Sequence, residues 1–405
     1  MTECTVTSTA YALRVIIAGH RQLVQCLANY NRRMVADLRT TSEPPAAPRD
    51  SSCAPKRLRI GLLPYDSGVN LYGARLRANL SELGDVVPIG TPLQRVARAF
   101  ARKPSFDLIV AGWLENALVT QTGRISVLGL GKMIGQTVLL RAQARRVIYV
   151  RHNRYPHNAR ARYARTLTRL LDVFERMYDV TLTHSPAELR PGRAYCPHPL
   201  YDAVQDDSLL PREIDLLPGY FVVFGRIAPY KNIEALIEGF PEHQRLLVAG
   251  VVDDDAYAQR LKQMRRRNVV VAPGYLSEAQ AQSVLRRAAG VIVSHSADDV
   301  IVTGSFFYAI SANRPVYAVT TPFLRAVASQ VGPRVLQTAE DIAGLCQALS
   351  EHTHRGAPTP SEWSAVRAVF SDASIGKHLS AVFEQLGLVH LGGAAAGHDI
   401  ADVAE

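Results

Sequence analysis

Two cations and a helix start follow a short apolar strand in the middle of the chain. Phe221–Phe224 has the β-branched and aromatic composition of a buried strand, and Gly225 ends it. Arg226 and Lys231 then lie five residues apart around a turn that contains proline, and apolar residues recur at helical spacing from Ile233. An α/β sheet binds ligands beyond the carboxyl ends of its strands, where a helix N-terminus favours an anion. The stretch therefore predicts an anion site, although solvated cations on a surface loop would give the same pattern.

A second strand-to-helix step, later in the chain, also presents groups that bind anions. Residues 291–293 predict a strand, and Thr303, Gly304 and Ser305 then open a helix with small, hydroxyl-rich side chains. Backbone N–H groups at such a helix start can hold a phosphate. Ordinary capping of a helix by threonine and serine is the alternative interpretation.

Candidate acid–base groups follow the predicted strands of the first half of the chain. Asp66 follows the first of these strands, Trp113 and Glu115 follow the second, and His152 and His157 share the loop after the third. A carboxylate or an imidazole near a reacting hydroxyl can serve as a general base, and tryptophan suits sugar stacking. A turn role for Asp66 and a structural role for each histidine are the alternatives.

Two other patterns imitate known motifs without meeting their requirements. Gly129, Gly131 and Gly135 have a spacing one residue too long for a dinucleotide-binding GxGxxG. We interpret their segment as a helix whose apolar face suits a membrane surface. Asp253 and Asp255 resemble a DxD metal motif, but aspartate before a helix is a common N-cap, so we expect no metal site.

The composition is that of a globular protein with an excess of positive charge. The 405 residues are 47% hydrophobic and 20% charged, which predicts two domains plus extensions. The net charge of +10 favours anionic partners, but the basic residues are dispersed, so we do not expect nucleic-acid binding. Five scattered cysteines, no signal peptide and no run of about 18 apolar residues predict a cytoplasmic protein without a transmembrane span.

Several segments together resemble GT-B glycosyltransferases, and most closely the xanthan-type GDP-mannose-dependent β-mannosyltransferases that act on lipid-linked oligosaccharides. The segments are NLYGARLRANL, FDLIVAGWLE, the HNxxPH of residues 152–157, FGRIAPYKN and TGSFFYAISANRPV. The resemblance implies an α/β fold with two Rossmann-like domains, 57–205 and 206–388, facing each other across a cleft. Residues 1–56 are then an extension with an amphipathic helix and a Pro/Ser-rich linker, and residues 389–405 a flexible tail.

The resemblance also implies roles for the candidate residues. Gly225, Arg226 and Lys231 match the residues that hold the donor diphosphate, and the helix start at Thr303, Gly304 and Ser305 joins them. Gly274 and Tyr275 match the turn beside the nucleotide base. The general base is ranked Glu115 and Asp66, then His157 and His152. Neither metal nor cofactor is implied, because protein cations stabilise the leaving diphosphate of a GDP-mannose or UDP-sugar donor.

One departure from the family pattern bears on the mechanism. Many retaining members carry Glu-x7-Glu where this chain has Val300 and Tyr308. The departure argues against the common retaining class and permits either an inverting mechanism or an inactive enzyme. Together with the resemblance, we expect an inverting transferase with a glycan or lipid-linked acceptor, working at the inner face of the cell membrane. A peripheral membrane contact through the N-terminal helix is part of this expectation. A non-catalytic GT-B scaffold and a nucleotide-sugar epimerase are the alternatives.

Overall fold

The computed structural model describes most of the chain between Arg57 and Leu388. The described residues are 57–66, 68, 70–100, 104–202, 214, 219–252, 254–264, 266–295, 301–352 and 356–388. They belong to a compact unit that begins at Arg57. The predicted N-terminal helix and tail, the predicted domain boundary between residues 205 and 206, Asp253 and Val300 lie outside the described residues.

Two parallel β-sheets of six strands each organise the described residues. The strand order is β2-β1-β3-β4-β5-β6 in the first sheet and β12-β11-β10-β7-β8-β9 in the second. The strands are β1 (Leu58–Leu63), β2 (Gly84–Pro88), β3 (Phe106–Gly112), β4 (Ala144–Val150), β5 (Val180–Thr183), β6 (Arg193–Tyr195), β7 (Phe221–Phe224), β8 (Leu246–Gly250), β9 (Val269–Pro273), β10 (Gly290–Val293), β11 (Val316–Val319) and β12 (Leu336–Ala339). Two such sheets in one chain confirm the predicted α/β fold with two Rossmann-like domains.

Helices cover both faces of each sheet. They are α1 (Leu71–Leu83), α2 (Pro92–Ala99), α3 (Val127–Gln143), α4 (Ala164–Phe174), α5 (Ile233–Gly239), α6 (Asp255–Gln263), α7 (Glu278–Arg287), α8 (Gly304–Ser311), α9 (Pro322–Val331), α10 (Ile342–Ser350), α11 (Pro360–Val369) and α12 (Asp372–Gln385). The strands are apolar on both sides because each sheet separates two hydrophobic clusters. Among the described helices, none combines the length and the apolar character that crossing a membrane requires.

The last helix of the described residues, α12, packs on the first sheet. Leu379 and Phe383 of α12 are buried in the same cluster as Ile60 of β1. Asp372, the first residue of α12, accepts hydrogen bonds from Asn79 Nδ2 at 2.8 Å and from Arg75 Nη2 at 2.6 Å. The sequence interpretation had included this helix in the second domain, because an apolar stripe does not reveal which sheet it covers. The structure shows that α12 instead packs on the first sheet and is hydrogen-bonded to α1.

Candidate functional site

The strand order of each sheet reverses at one point, and the predicted site residues follow the strands at these points. In the second sheet, the chain runs outward from β7 through β8 to β9 and then returns to β10 on the other side of β7. The loop with Arg226 and Lys231 follows β7, and α8 begins after β10. In the first sheet, the reversal lies between β1 and β3. Ligands of open α/β sheets bind in the crevices that such reversals create.

Two side chains from different elements donate hydrogen bonds to one backbone oxygen at the end of β7. Lys231 Nζ donates to the Phe224 carbonyl oxygen at 3.0 Å, and Ser305 Oγ donates to the same oxygen at 3.2 Å. Gly225 turns the chain directly after Phe224 with a φ of +96°, a conformation that favours glycine. The loop after β7 and the start of α8 therefore meet, as the sequence predicted.

Lys231 is a buried cation at this meeting point. Its side chain is 5% exposed, and no carboxylate of the described residues forms an ion pair with it. Burial, together with the positive charge of Arg226, lowers the pKa of Lys231 to about 8. An anion bound here would restore the charged form, because it would supply the opposite charge that Lys231 lacks.

The start of α8 adds backbone donors to the two cations. Thr303 precedes the helix, and its side chain makes no capping hydrogen bond. The first N–H groups of a helix have no acceptor within the helix. Gly304 is exposed, so its backbone is open to a ligand. Arg226, Lys231 and this helix start thus bring cationic and backbone donors together at the end of β7.

Exposed apolar and aromatic side chains surround these donors at the carboxyl edge of the second sheet. Tyr230 precedes Lys231, Val251 follows β8, and Tyr275 follows β9 with 68% of its side chain exposed. Gly274, beside Tyr275, donates its N–H to the Gly250 oxygen at 2.8 Å. The exposed ring of Tyr275 is of the kind that can stack against a planar base.

In the first domain, an aromatic and imidazole cluster gathers at the carboxyl ends of the strands. Its members are Tyr72, Trp113, His152, His184 and His198. Trp113 stacks on His152 with ring centroids 4.1 Å apart, and Tyr72 OH lies 2.7 Å from His184 Nε2. Tyr72, Trp113 and His152 also line a small cavity beyond β1 and β3, at the reversal point of the first sheet.

Burial and mutual proximity keep the three imidazoles of this cluster neutral. Burial lowers the pKa of His184 to about 4 and holds those of His152 and His198 well below the usual value. His184 Nδ1 lies 2.8 Å from the Cys196 oxygen, which only accepts hydrogen bonds, so Nδ1 carries the proton. His184 Nε2 then accepts from Tyr72. His152 Nε2 is buried and has no hydrogen-bond partner among the described residues.

A continuous series of ring contacts joins this cluster to the donors of the second domain. His198 stacks on Phe307 of α8 with centroids 4.0 Å apart. One residue along α8, Tyr308 stacks on Tyr201 at 4.2 Å and meets Phe224 edge-on at 5.4 Å. The helix whose N-terminus faces the cations therefore packs, through its next residues, on the imidazole side of the molecule.

The structure separates the four predicted candidates for the general base. Glu115 is fully buried, because the turn after β3 directs it onto Tyr149, whose OH donates to Oε2 at 2.6 Å. Burial raises the pKa of Glu115. Asp66 is exposed and accepts the Gly68 N–H at 2.8 Å, as in the turn alternative. His157 is exposed in the loop beyond His152, so only His152 belongs to the cluster. Because Glu115 is not exposed at the surface, the structure shows no route by which it would touch a substrate. Its role as the general base stays a prediction.

The sequence analysis did not predict the hydrogen-bonded pair Tyr308 and Glu278. Tyr308 lies at the position matched to the second glutamate of the Glu-x7-Glu pattern. Its OH donates a hydrogen bond to Glu278 Oε2 at 2.9 Å. A carboxylate is therefore present beside α8, supplied by the start of α7. His198 was not predicted either, although it follows β6 in the same way that the predicted histidine His152 follows β4. The signal in the sequence that would have identified His198 is its position directly after a strand.

Among the described residues, no group of His, Cys, Asp or Glu side chains is arranged to hold a metal ion. The histidines of the cluster instead direct their known hydrogen bonds to Tyr72 and to backbone oxygens. The candidate donors for a ligand at the end of β7 are the side chains of Arg226 and Lys231 and the backbone N–H groups at the start of α8.

Comparison with known proteins gives matches in structure. No protein-family model matches the chain, and no curated protein matches its sequence. Anabaena Alr3699/HepE, crystallised with UDP and glucose, matches with a TM-score of 0.53, 13% identity, and coverage of 81% of this chain and 100% of that one. A glycosyltransferase from Rickettsia africae ESF-5 matches with a TM-score of 0.54, 10% identity, and coverage of 82% and 99%. AviGT4, a glycosyltransferase of avilamycin A biosynthesis, matches with a TM-score of 0.50, 15% identity, and coverage of 81% and 98%.

At these identities the matches establish the fold, and the fold is GT-B, as the sequence resemblance implied.

The protonation state of the imidazole cluster is open to direct measurement. We expect His184 to stay a neutral Nδ1–H tautomer from about pH 8 to about pH 5, because burial lowers its pKa to about 4. Nitrogen-15 NMR of histidine-labelled protein, assigned with His184→Gln, reports both ring nitrogens. In Tyr72→Phe the Nε2 signal should shift, because its hydrogen-bond donor is removed. Protonation of His184 near the ordinary histidine pKa would contradict this picture of the cluster.

Proposed function

We propose that this protein is a glycosyltransferase that takes a sugar from a nucleotide-sugar donor. The observation that carries the proposal is the meeting of Arg226, Lys231 and the start of α8 at the end of β7. Two cations and the N–H groups of a helix start match the charge of a nucleoside diphosphate. The GT-B fold supports the proposal, since Alr3699/HepE, which has this fold, was crystallised with UDP and with UDP-glucose.

In this reaction the diphosphate is the leaving group, and these donors stabilise its developing charge. The bond between the sugar and the diphosphate oxygen breaks while the acceptor hydroxyl attacks the anomeric carbon. Lys231 and Arg226 are positioned before the donor binds, so little reorganisation accompanies the transfer. Cations of the protein thereby take the part that a metal ion plays in other transferases, and we propose a metal-independent reaction.

The acceptor hydroxyl must lose its proton, and we propose Asp66 as the group that accepts it. Asp66 is exposed and follows β1, at the reversal point of the first sheet, whereas Glu115 is buried against Tyr149. A single base on the acceptor and a direct attack give inversion at the anomeric carbon. His152, neutral and stacked on Trp113, is the next candidate.

The donor and acceptor follow from the sequence resemblance. GDP-mannose is the first donor to test, and UDP-glucose is the second because of the Alr3699/HepE complexes. A glycan or lipid-linked oligosaccharide is the proposed acceptor, which would place the reaction at the cytoplasmic side of a membrane.

The diphosphate site is tested by calorimetric titration of GDP, UDP and their sugars. We expect one nucleotide series to bind, and Arg226→Ala to weaken it by about 10- to 150-fold, the equivalent of roughly 1.5–3 kcal/mol for a charge-assisted hydrogen bond. Arg325→Ala is the matched control, because Arg325 is an exposed arginine of the same domain that pairs with Glu340 at 3.6 Å. If the folded protein binds none of these nucleotides, the proposal fails and the non-catalytic scaffold replaces it.

The base is tested by Asp66→Asn, which keeps an oxygen to accept the Gly68 N–H. Transfer to lipid-linked oligosaccharides should slow by about 10²- to 10⁴-fold, while donor affinity stays the same. Asp85→Asn makes the same change at an exposed aspartate near the amino end of β2, away from the carboxyl ends of the strands, and should leave the rate unchanged. Full activity of Asp66→Asn would move the base to His152. Product analysis with donor alone separates transfer from epimerisation.

A further inference from the structure

Half of the exposed large apolar side chains of the described residues lie on two neighbouring helices of the first domain. These residues, which we call the α2–α3 patch, are Leu93, Val96, Phe100, Val127 and Leu128. Leu93, Phe100 and Leu128 are each more than four-fifths exposed, at 83%, 86% and 88%. An apolar surface of this kind on a single protein marks a contact with another apolar surface.

Helix α2 owes its position to local bonds and not to burial of its apolar side chains. None of its residues is buried, and its start is fixed by a capping box between Thr91 and Gln94. Leu93, Val96 and Phe100 have the spacing of one helical face, which points away from the core. A helix held in this way presents its apolar face outward as a permanent feature.

Positive charge dominates the stretch of chain that contains the α3 part of the patch. Between Glu115 and Asp172 the sequence contains eleven arginine and lysine residues and no aspartate or glutamate. Four exposed members of this group form what we call the basic rim: Arg124, Lys132, Arg160 and Arg162. No described carboxylate forms an ion pair with any of the four.

The fold holds the basic rim beside the start of α3. Arg160 donates from Nε to the Thr122 oxygen and from its backbone N–H to the Gly123 oxygen, each at 3.0 Å. Arg124 follows in the same turn, three residues before Val127. Lys132 lies one helical turn after Leu128 on α3. The cations therefore lie beside the α3 part of the patch, Val127 and Leu128.

We propose that the α2–α3 patch and the basic rim dock on a lipid bilayer that contains anionic phospholipids. An amphipathic helix at an interface buries its apolar face among the acyl chains, while arginine and lysine contact acidic headgroups. A second copy of this chain fits the surface less well, because the two basic rims would face each other. Docking of this kind needs neither donor nor transfer, so its failure can be distinguished from failure of the proposed function.

The experiment is co-sedimentation of the full chain with vesicles, without nucleotide. We expect binding to phosphatidylglycerol/phosphatidylcholine vesicles to exceed binding to pure phosphatidylcholine vesicles by roughly tenfold or more and to weaken with salt. The double variant Phe100→Ser with Leu128→Ser should lose at least about tenfold in partitioning and should keep the wild-type melting temperature, because both side chains are exposed. Arg124→Glu with Lys132→Glu should lose the preference for anionic vesicles.

The matched control replaces Val173 and Leu189 by serine, since both are exposed apolar residues of the same domain outside the patch. This control should bind vesicles like the wild type. Unchanged binding by the Phe100→Ser, Leu128→Ser variant would overturn the proposal and assign any membrane contact to residues 1–56. Absence of vesicle binding, with a dimer in solution that the same variant dissociates, would overturn it in favour of a contact between copies.

Discussion

The candidate site depends on one backbone oxygen, the carbonyl of Phe224 at the end of β7. Lys231 and Ser305 both donate to it, so the loop after β7 and the start of α8 are held against the same point. The reversal of strand order between β7 and β10 makes this meeting possible, because it brings two strand ends with independent loops side by side. Burial, together with the positive charge of Arg226, then lowers the pKa of Lys231 to about 8, and an anionic ligand would restore its charged form.

The rings between the two sheets extend this constraint to the first domain. Phe307 and Tyr308, three and four residues after the start of α8 at Gly304, stack on His198 and Tyr201. His198 in turn belongs to the cluster around Tyr72, in which burial keeps the imidazoles neutral. Because the imidazoles are neutral whereas Arg226 and Lys231 are cations, a negatively charged donor bound as we propose would be attracted to Arg226 and Lys231 and not to the imidazoles.

The sequence predicted those parts of the fold and of the site that depend on short stretches. Apolar runs such as Phe221–Phe224 predicted strands, and the family resemblance, not the residue pattern alone, implied that the start of α8 lies with Lys231. Contacts between distant residues were not predictable: Tyr72 and His184 are 112 positions apart, and neither residue type announces a partner. The inward direction of Glu115 and the packing of α12 on the first sheet depend on tertiary structure in the same way.

The most direct test of the account is the number of protons taken up when a nucleoside diphosphate binds. Calorimetry at about pH 8.5, in buffers of different ionisation enthalpy, measures this number. Because the pKa of free Lys231 is about 8, wild type should take up about three-quarters of a proton per nucleotide as the anion restores the charged form. Lys231→Arg should bind without uptake, because arginine is already charged. Tight binding by the wild type without proton uptake would contradict the claim that Lys231 holds the diphosphate.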